Sequence, residues 1–200
     1  MELKRFKNSE ITPQQFIEAF NTDGYVVIEN VFEQTFVEAV KPELYNAIDI
    51  ESKQYHSKNH KDYGMLLACP IYGGKFLKVV EHRDFIEPFN WVLGDTSIIW
   101  VFTSSGMPPN KGNHSTRIHV DRPYYTPVEH TDAMGSLILL DDFTEENGAT
   151  YLLPKSHLSP TEPTEADFYK DAIRLIAPKG SVFYLNLRLW HAGGENKSNQ

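Results

Sequence analysis

Three side chains of this sequence have the types and spacing of a metal centre: His119, Asp121 and His191. His119 and Asp121 stand either side of one residue, and on an extended strand such positions point to the same face. An imidazole and a carboxylate projecting together supply two ligands of a facial triad. That arrangement suits non-haem Fe(II), because three adjacent coordination positions stay open. The third ligand must come from another strand. His191 follows the strand-like run Val182 to Leu189 and precedes Ala192-Gly193-Gly194, which places it at a strand end beside a flexible backbone. A second pair with the same spacing, His130 and Asp132, competes for the role. Thr116 to Asp121 alternates as a strand does, whereas Pro127 to Asp132 is acidic and turn-like, so the first pair is the stronger candidate. Spacing alone also admits a third option, in which neither pair binds metal.

The remaining histidines need no special role. His56 and His60 are four apart but lie in a Ser/Lys/Asn-rich stretch that reads as solvated loop. His82, His114 and His157 fall at a helix start, in a loop and after a turn, and each alone reads as a surface or hydrogen-bonded imidazole. Cys69 is the single cysteine, which excludes an internal disulfide and a four-cysteine zinc site.

The elements that must position these residues change texture along the chain. Thr12, Pro13 and Gln15 form a capping box that opens a helix, and Gly24 closes it. Tyr25 to Ile28 reads as a strand, Gln34 to Ile48 as a second helix, Glu51 to Tyr63 as loop, and Arg83 to Leu93 as a third helix. Strand-like runs then dominate: Ser97 to Phe102, Thr116 to Asp121, Ser136 to Leu140, Thr150 to Leu153 and Ser181 to Leu185. Short strands at this spacing predict a mainly β sandwich or barrel with N-terminal helices rather than a parallel sheet. No glycine-rich phosphate loop is present.

Composition bounds the rest. Two hundred residues, 40% hydrophobic, suffice for one core, and residues 1–200 are expected to form a single domain. With 19 basic against 27 acidic residues the net charge is −8, which argues against nucleic acid or an anionic membrane as partner. No apolar run approaches the length of a spanning helix, and the N-terminus lacks a secretory pattern, so a cytoplasmic protein is expected.

Four blocks, in order, resemble the phytanoyl-CoA dioxygenase family of 2-oxoglutarate/Fe(II)-dependent oxygenases. They are Phe20 to Ile28 with its Asp-Gly-Tyr-Val-Val core, Ile118 to Asp121, Leu139 to Gly148 with Leu153 to His157, and Trp190 to Ser198. The resemblance implies a double-stranded β-helix, the jelly-roll barrel of cupin-like proteins, with flanking N-terminal helices. It implies that His119, Asp121 and His191 hold Fe(II), with 2-oxoglutarate and O₂ as cosubstrates and succinate and CO₂ as products. Halogenating relatives replace the carboxylate with a small residue. Asp121 retains it, so the implied outcome is hydroxylation of a small organic metabolite, as in a biosynthetic pathway. Desaturation, cyclisation and epimerisation share this ligand set, and a non-catalytic jelly-roll binding protein is the alternative from another class.

The sequence departs from the family in places. An arginine that pairs with the distal carboxylate of 2-oxoglutarate stands about ten residues past the second histidine in relatives, a bidentate partner suited to that group. Here that position, with a closing strand, is expected beyond Gln200. Gly193 replaces a common serine, and Met107-Pro108-Pro109 stands for a Lys-Pro-Pro-like turn. Thr103, Arg117 and Gly193 are the expected cosubstrate contacts. Strand parity aligns Arg117 with His119 and turns Arg188 outward. Arg122, Tyr124 and Tyr125 are candidates for a pocket lip.

Overall fold

The computed structural model describes residues 2–55, 63–122 and 131–199. A short strand, β1 (Arg5–Lys7), leads into helix α1 (Pro13–Asp23). The capping box forms as expected: Thr12 Oγ1 accepts from the Gln15 N–H, and Gln15 Oε1 accepts from the Thr12 N–H at 2.9 Å. Gly24 ends the helix at φ 82°, its N–H donating to Phe20 O. Strand β2 (Tyr25–Glu29) follows at once and is buried along nearly its whole length.

Helix α2 (Gln34–Tyr55) extends past the expected end, through part of the stretch read as loop. Glu51 explains the error. It looks solvent-directed in sequence, yet it is buried, and both carboxylate oxygens accept from the Leu67 N–H at 3.2 Å. A 3₁₀ turn (Cys69–Tyr72) and helix α3 (Gly74–Val80) were not evident from periodicity, being one or two turns long. Helix α4 (Arg83–Leu93) matches its expected bounds.

The β-structure comprises β3 (Met134–Ile138), β4 (Tyr151–Leu152), β5 (Ile173–Arg174), β6 (Val182–Asn186) and β7 (His191–Ala192), with helix α5 (Glu165–Asp171) before β5. One sheet has the order β1-β2-β6-β3, parallel only between β1 and β2. The other has the order β5-β4-β7 and is antiparallel. Side-chain alternation along β2 splits the core. Val26 and Ile28 face α1 and α4 with Phe16, Phe20 and Phe85. Tyr25 and Val27 face inward with Phe183, Leu185, Leu152 and Leu189, an apolar filling that joins the two sheets. At about 25 cal/mol per Å², such burial is the main stabilising term for this layered arrangement.

Two expected strands fail to form. Thr116 to Asp121 begins in a 3₁₀ turn (His114–Thr116) and joins the second sheet only through a bridge between His119 and His191. Ser97 to Phe102 forms no strand, its one cross-segment backbone hydrogen bond among the described residues running from the Cys69 N–H to Phe102 O at 2.9 Å, and Trp100 is 89% exposed. Strand propensity is a fit to a pleated neighbour, and none lies beside Ile98 to Val101 among the described residues. No helix among the described residues is long and apolar enough to cross a membrane.

Candidate metal centre

β7 carries His191, and the segment before Arg122 runs antiparallel along its free edge. The His119 N–H donates to His191 O and the His191 N–H to His119 O, both at 2.9 Å. This reciprocal pairing puts both rings on one face, with centroids 4.2 Å apart. On the other side of β7, Leu152 of β4 stands opposite His191 and is fully buried. The histidines therefore lie on the inner face of the second sheet, backed by the apolar filling.

Beyond His119 the ladder slips. The Gly193 N–H bonds to Ser115 O at 2.6 Å, so residues 115–119 span what only 191–193 span opposite. This is a bulge of two extra residues. It frees the Arg117 carbonyl from the ladder, and that carbonyl lies 2.7 Å from His119 Nδ1. Leu189 O takes the same place 2.8 Å from His191 Nδ1. A carbonyl can only accept, so each ring donates from Nδ1 and turns its Nε2 forward, a lone pair in the neutral form. Metal-ligating histidines are commonly held in this way.

Asp121 completes the group. Its Oδ1 lies 3.7 Å from His119 Nε2 and 3.8 Å from His191 Nε2, and one ligand atom from each residue falls within 4.8 Å of the others. Donors bound about 2.1 Å from a common ion at right angles stand about 3 Å apart, so a small inward rotation brings this set to bonding distance. Burial holds the His191 pKa below its ordinary value, against the pull of Asp121 in the other direction. A neutral imidazole is the form that binds a metal.

Asp132 forms an ion pair with Arg122 at 3.0 Å, and His130 lies outside the described residues, as do His56, His60, Tyr124 and Tyr125. Arg122 is thereby tethered, its N–H also donating to Leu187 O. Thr103 is exposed. Arg117 is exposed too, and the bulge breaks the strand parity that would have aligned it with His119. Gly193 sits against Ser115 and Met107. His82 lies 4.7 Å from the Phe32 ring, and His157 is buried behind β7 with Nε2 near Asn21 O.

Sequence reasoning missed the side chains that shape the wall beside the centre: Asn113, Ser115 and Met107. The turn around Asn113-His-Ser-Thr116 signals an Asn side chain bonding its own backbone two residues on, which is what the Ser115 N–H to Asn113 Oδ1 bond at 2.7 Å shows.

Comparison with known proteins agrees with this architecture. A solved structure, the crystal structure of EvdMO1, superposes with a TM-score of 0.70 at 22% identity, covering 94% of this chain and 47% of that one. Among curated relatives, the multifunctional dioxygenase ausE of Penicillium brasilianum is 27% identical over 220 residues, covering 97% of this chain and 70% of the relative. Dioxygenase trt7 of Aspergillus terreus is 23% identical over 203 residues, covering 94% and 70%, and Rv1501 of Mycobacterium tuberculosis is 25% identical over 192 residues, covering 92% and 70%. The chain thus spans about 70% of these relatives' length and less than half of the solved chain. Residues 20–200 match the phytanoyl-CoA dioxygenase (PhyH) family, from the helix that leads into β2 to the segment beyond His191, and the chain belongs to that family.

Proposed function

We propose that the chain is a non-haem Fe(II)- and 2-oxoglutarate-dependent dioxygenase that hydroxylates a small organic molecule, releasing succinate and CO₂. The two facing sheets are then the halves of a double-stranded β-helix, and the enzyme is a cytoplasmic one with neither nucleic acid nor membrane as partner. One observation carries the reading: two imidazole Nε2 atoms and one carboxylate oxygen converge within 4.8 Å of one another, with both Nδ1 atoms held by carbonyls. That donor set fits Fe(II) and leaves the opposite coordination positions open. When bound, the iron with its 2-oxo acid and dioxygen supplies the oxidising power.

The chain's own residues orient and shield. The Arg117 and Leu189 carbonyls hold the imidazole tautomers. Asp121 offsets part of the ion's charge, and Leu152 keeps the floor beneath His191 dry. Thr103 and Gly193 are the contacts proposed for the cosubstrate; Arg117, exposed and displaced by the bulge, is not. Because Asp121 occupies the carboxylate position, hydroxylation is favoured over halide transfer.

Anaerobic titration with Fe(II) and then 2-oxoglutarate tests the proposal. A weak visible charge-transfer band is expected, followed by succinate release when oxygen is admitted. A protein that binds iron and never 2-oxoglutarate would be a metal-binding module instead.

A further inference from the structure

A cleft of about 850 Å³ opens on the reverse of the second sheet. Leu153 and Trp190 stand opposite each other there, the Leu153 N–H donating to Trp190 O at 2.9 Å. One follows Leu152 and the other precedes His191, so alternation turns both away from the inner face. With Leu3 and Pro163 they give the cleft a half-buried apolar lining. His119, Asp121 and His191 take no part in it. Small-molecule sites have volumes of this order.

Three cations line the same cleft: Lys155, Lys170 and Arg174. Arg174 is fixed by neutral groups. Its Nη1 donates to Tyr151 OH at 2.7 Å, its Nη2 donates to Glu145 O at 3.0 Å, and its guanidinium carbon lies 4.2 Å from the centre of the Tyr151 ring. Lys155 and Lys170 form no ion pair among the described residues. The Glu145 and Asp171 carboxylates share the lining, so the cleft keeps one positive charge in excess, on a chain whose net charge is −8. Lys155 stands there against a backbone preference. Its φ is 67°, a conformation that glycine adopts freely and lysine only at a cost. Its N–H donates to Asp23 O at 2.9 Å and its carbonyl accepts from the Leu158 N–H at 3.1 Å, which hold it so. A long cationic side chain kept at a strained position is a pointer to function.

We propose that this cleft is a binding site for a small organic acid: a carboxylate carried on an apolar ring or chain, its body against Trp190 and Leu153 and its charge facing Lys155, Lys170 and Arg174. The inference stands apart from the oxygenase reading, because the site uses the other face of the sheet that carries His191. An exposed ion pair strengthens binding about 1.5- to fivefold, and salt screens it. Three cations opposed by two carboxylates therefore give a modest preference for an acid over a neutral molecule of the same shape. The apolar lining separates that acid from a bare anion, which has no body to bury.

The test titrates 2-naphthoate, 2-naphthalenemethanol and acetate into the protein and follows the indole N–H signals of its three tryptophans by NMR. The naphthoate should move the signal that is missing from Trp190→Phe. It should bind at least threefold more tightly than the alcohol and at least tenfold more tightly than acetate. Lys155→Gly removes the cation while relaxing the backbone, so a loss of binding there is not a loss of fold. It should at least halve the preference for acid over alcohol, and Lys155→Gly combined with Lys170→Gln should erase it. The naphthoate affinity should be the same with and without Zn(II), which separates this site from capture of a carboxylate at the metal centre. Equal binding of acid and alcohol by the wild type, a shift confined to another tryptophan, a requirement for the metal, or a preference surviving in the double variant overturns the proposal.

Discussion

Gly24→Ala should destabilise the protein through a contact with His157 and Leu189. Gly24 sits at φ 82°, where an alanine costs about 1–2 kcal/mol. Its new methyl would run into His157 Nδ1 and lie 2.8 Å from Leu189 Cδ1. Both neighbours are buried, so they cannot swing aside cheaply, and overpacking of this kind adds about 1–3 kcal/mol. The total is about 2–5 kcal/mol. For a chain of this length that lowers the melting temperature by about 4–20 °C. A double-mutant cycle isolates the contact: with His157→Ala in the background, the cost of Gly24→Ala should shrink toward its backbone part of about 1–2 kcal/mol. Differential scanning calorimetry or urea unfolding reads all four proteins. A melting temperature within 2 °C of wild type for Gly24→Ala, or strictly additive costs in the cycle, would refute the reasoning.

Other outcomes follow from the same structure. Asp121→Ala or His191→Ala should weaken Co(II) or Fe(II) binding by more than about 100-fold in calorimetric titration, while Asp132→Ala, which loses only an ion pair with Arg122, should leave it within about threefold. Burial lowers the His157 pKa, so the unfolded chain binds the extra proton first. Its contribution to stability is therefore complete above the unfolded value of about 6.5 and is lost as pH falls through and below it. His157→Gln should flatten the decline of the urea midpoint between pH 7 and pH 5, and an unchanged slope would count against this. Burial pushes the Cys69 thiol up to about 12, so native protein at pH 8 should resist a thiol reagent that labels it fully in denaturant.

The grouping of His119, Asp121 and His191 was more legible in the sequence than the scaffold around it. His119 and Asp121 could be paired by spacing, and His191 by its place after an apolar run, because those cues are local. The capping box at Thr12 and the glycine stop at Gly24 are local as well, and the first helix falls within its predicted bounds. What escaped depends on partners distant in the chain. Glu51 reads as a surface charge until the Leu67 N–H is folded against it. Ile98 to Val101 has every strand-forming residue and no neighbour among the described residues to form a strand with.

The bulge at Arg117 shows why such misses gather near the site. A regular ladder from His119 to Ser115 would give the Arg117 carbonyl to β7, leave His119 Nδ1 without its fixed acceptor and turn Arg117 to the face of the histidines. Two extra residues change all of this at once. The carbonyl orients the ring, the arginine moves outward, and Ser115 is brought opposite Gly193. The resembling blocks converge just behind. The Gly24 carbonyl accepts from the Asn186 N–H, the Lys155 N–H donates to Asp23 O, and Ser156 Oγ accepts from the Trp190 N–H. Segments that look in sequence like separate signatures are one latch, holding the strand that carries His191. The blocks are therefore coupled mechanically: without the latch, His191 has no fixed place from which to meet His119 and Asp121.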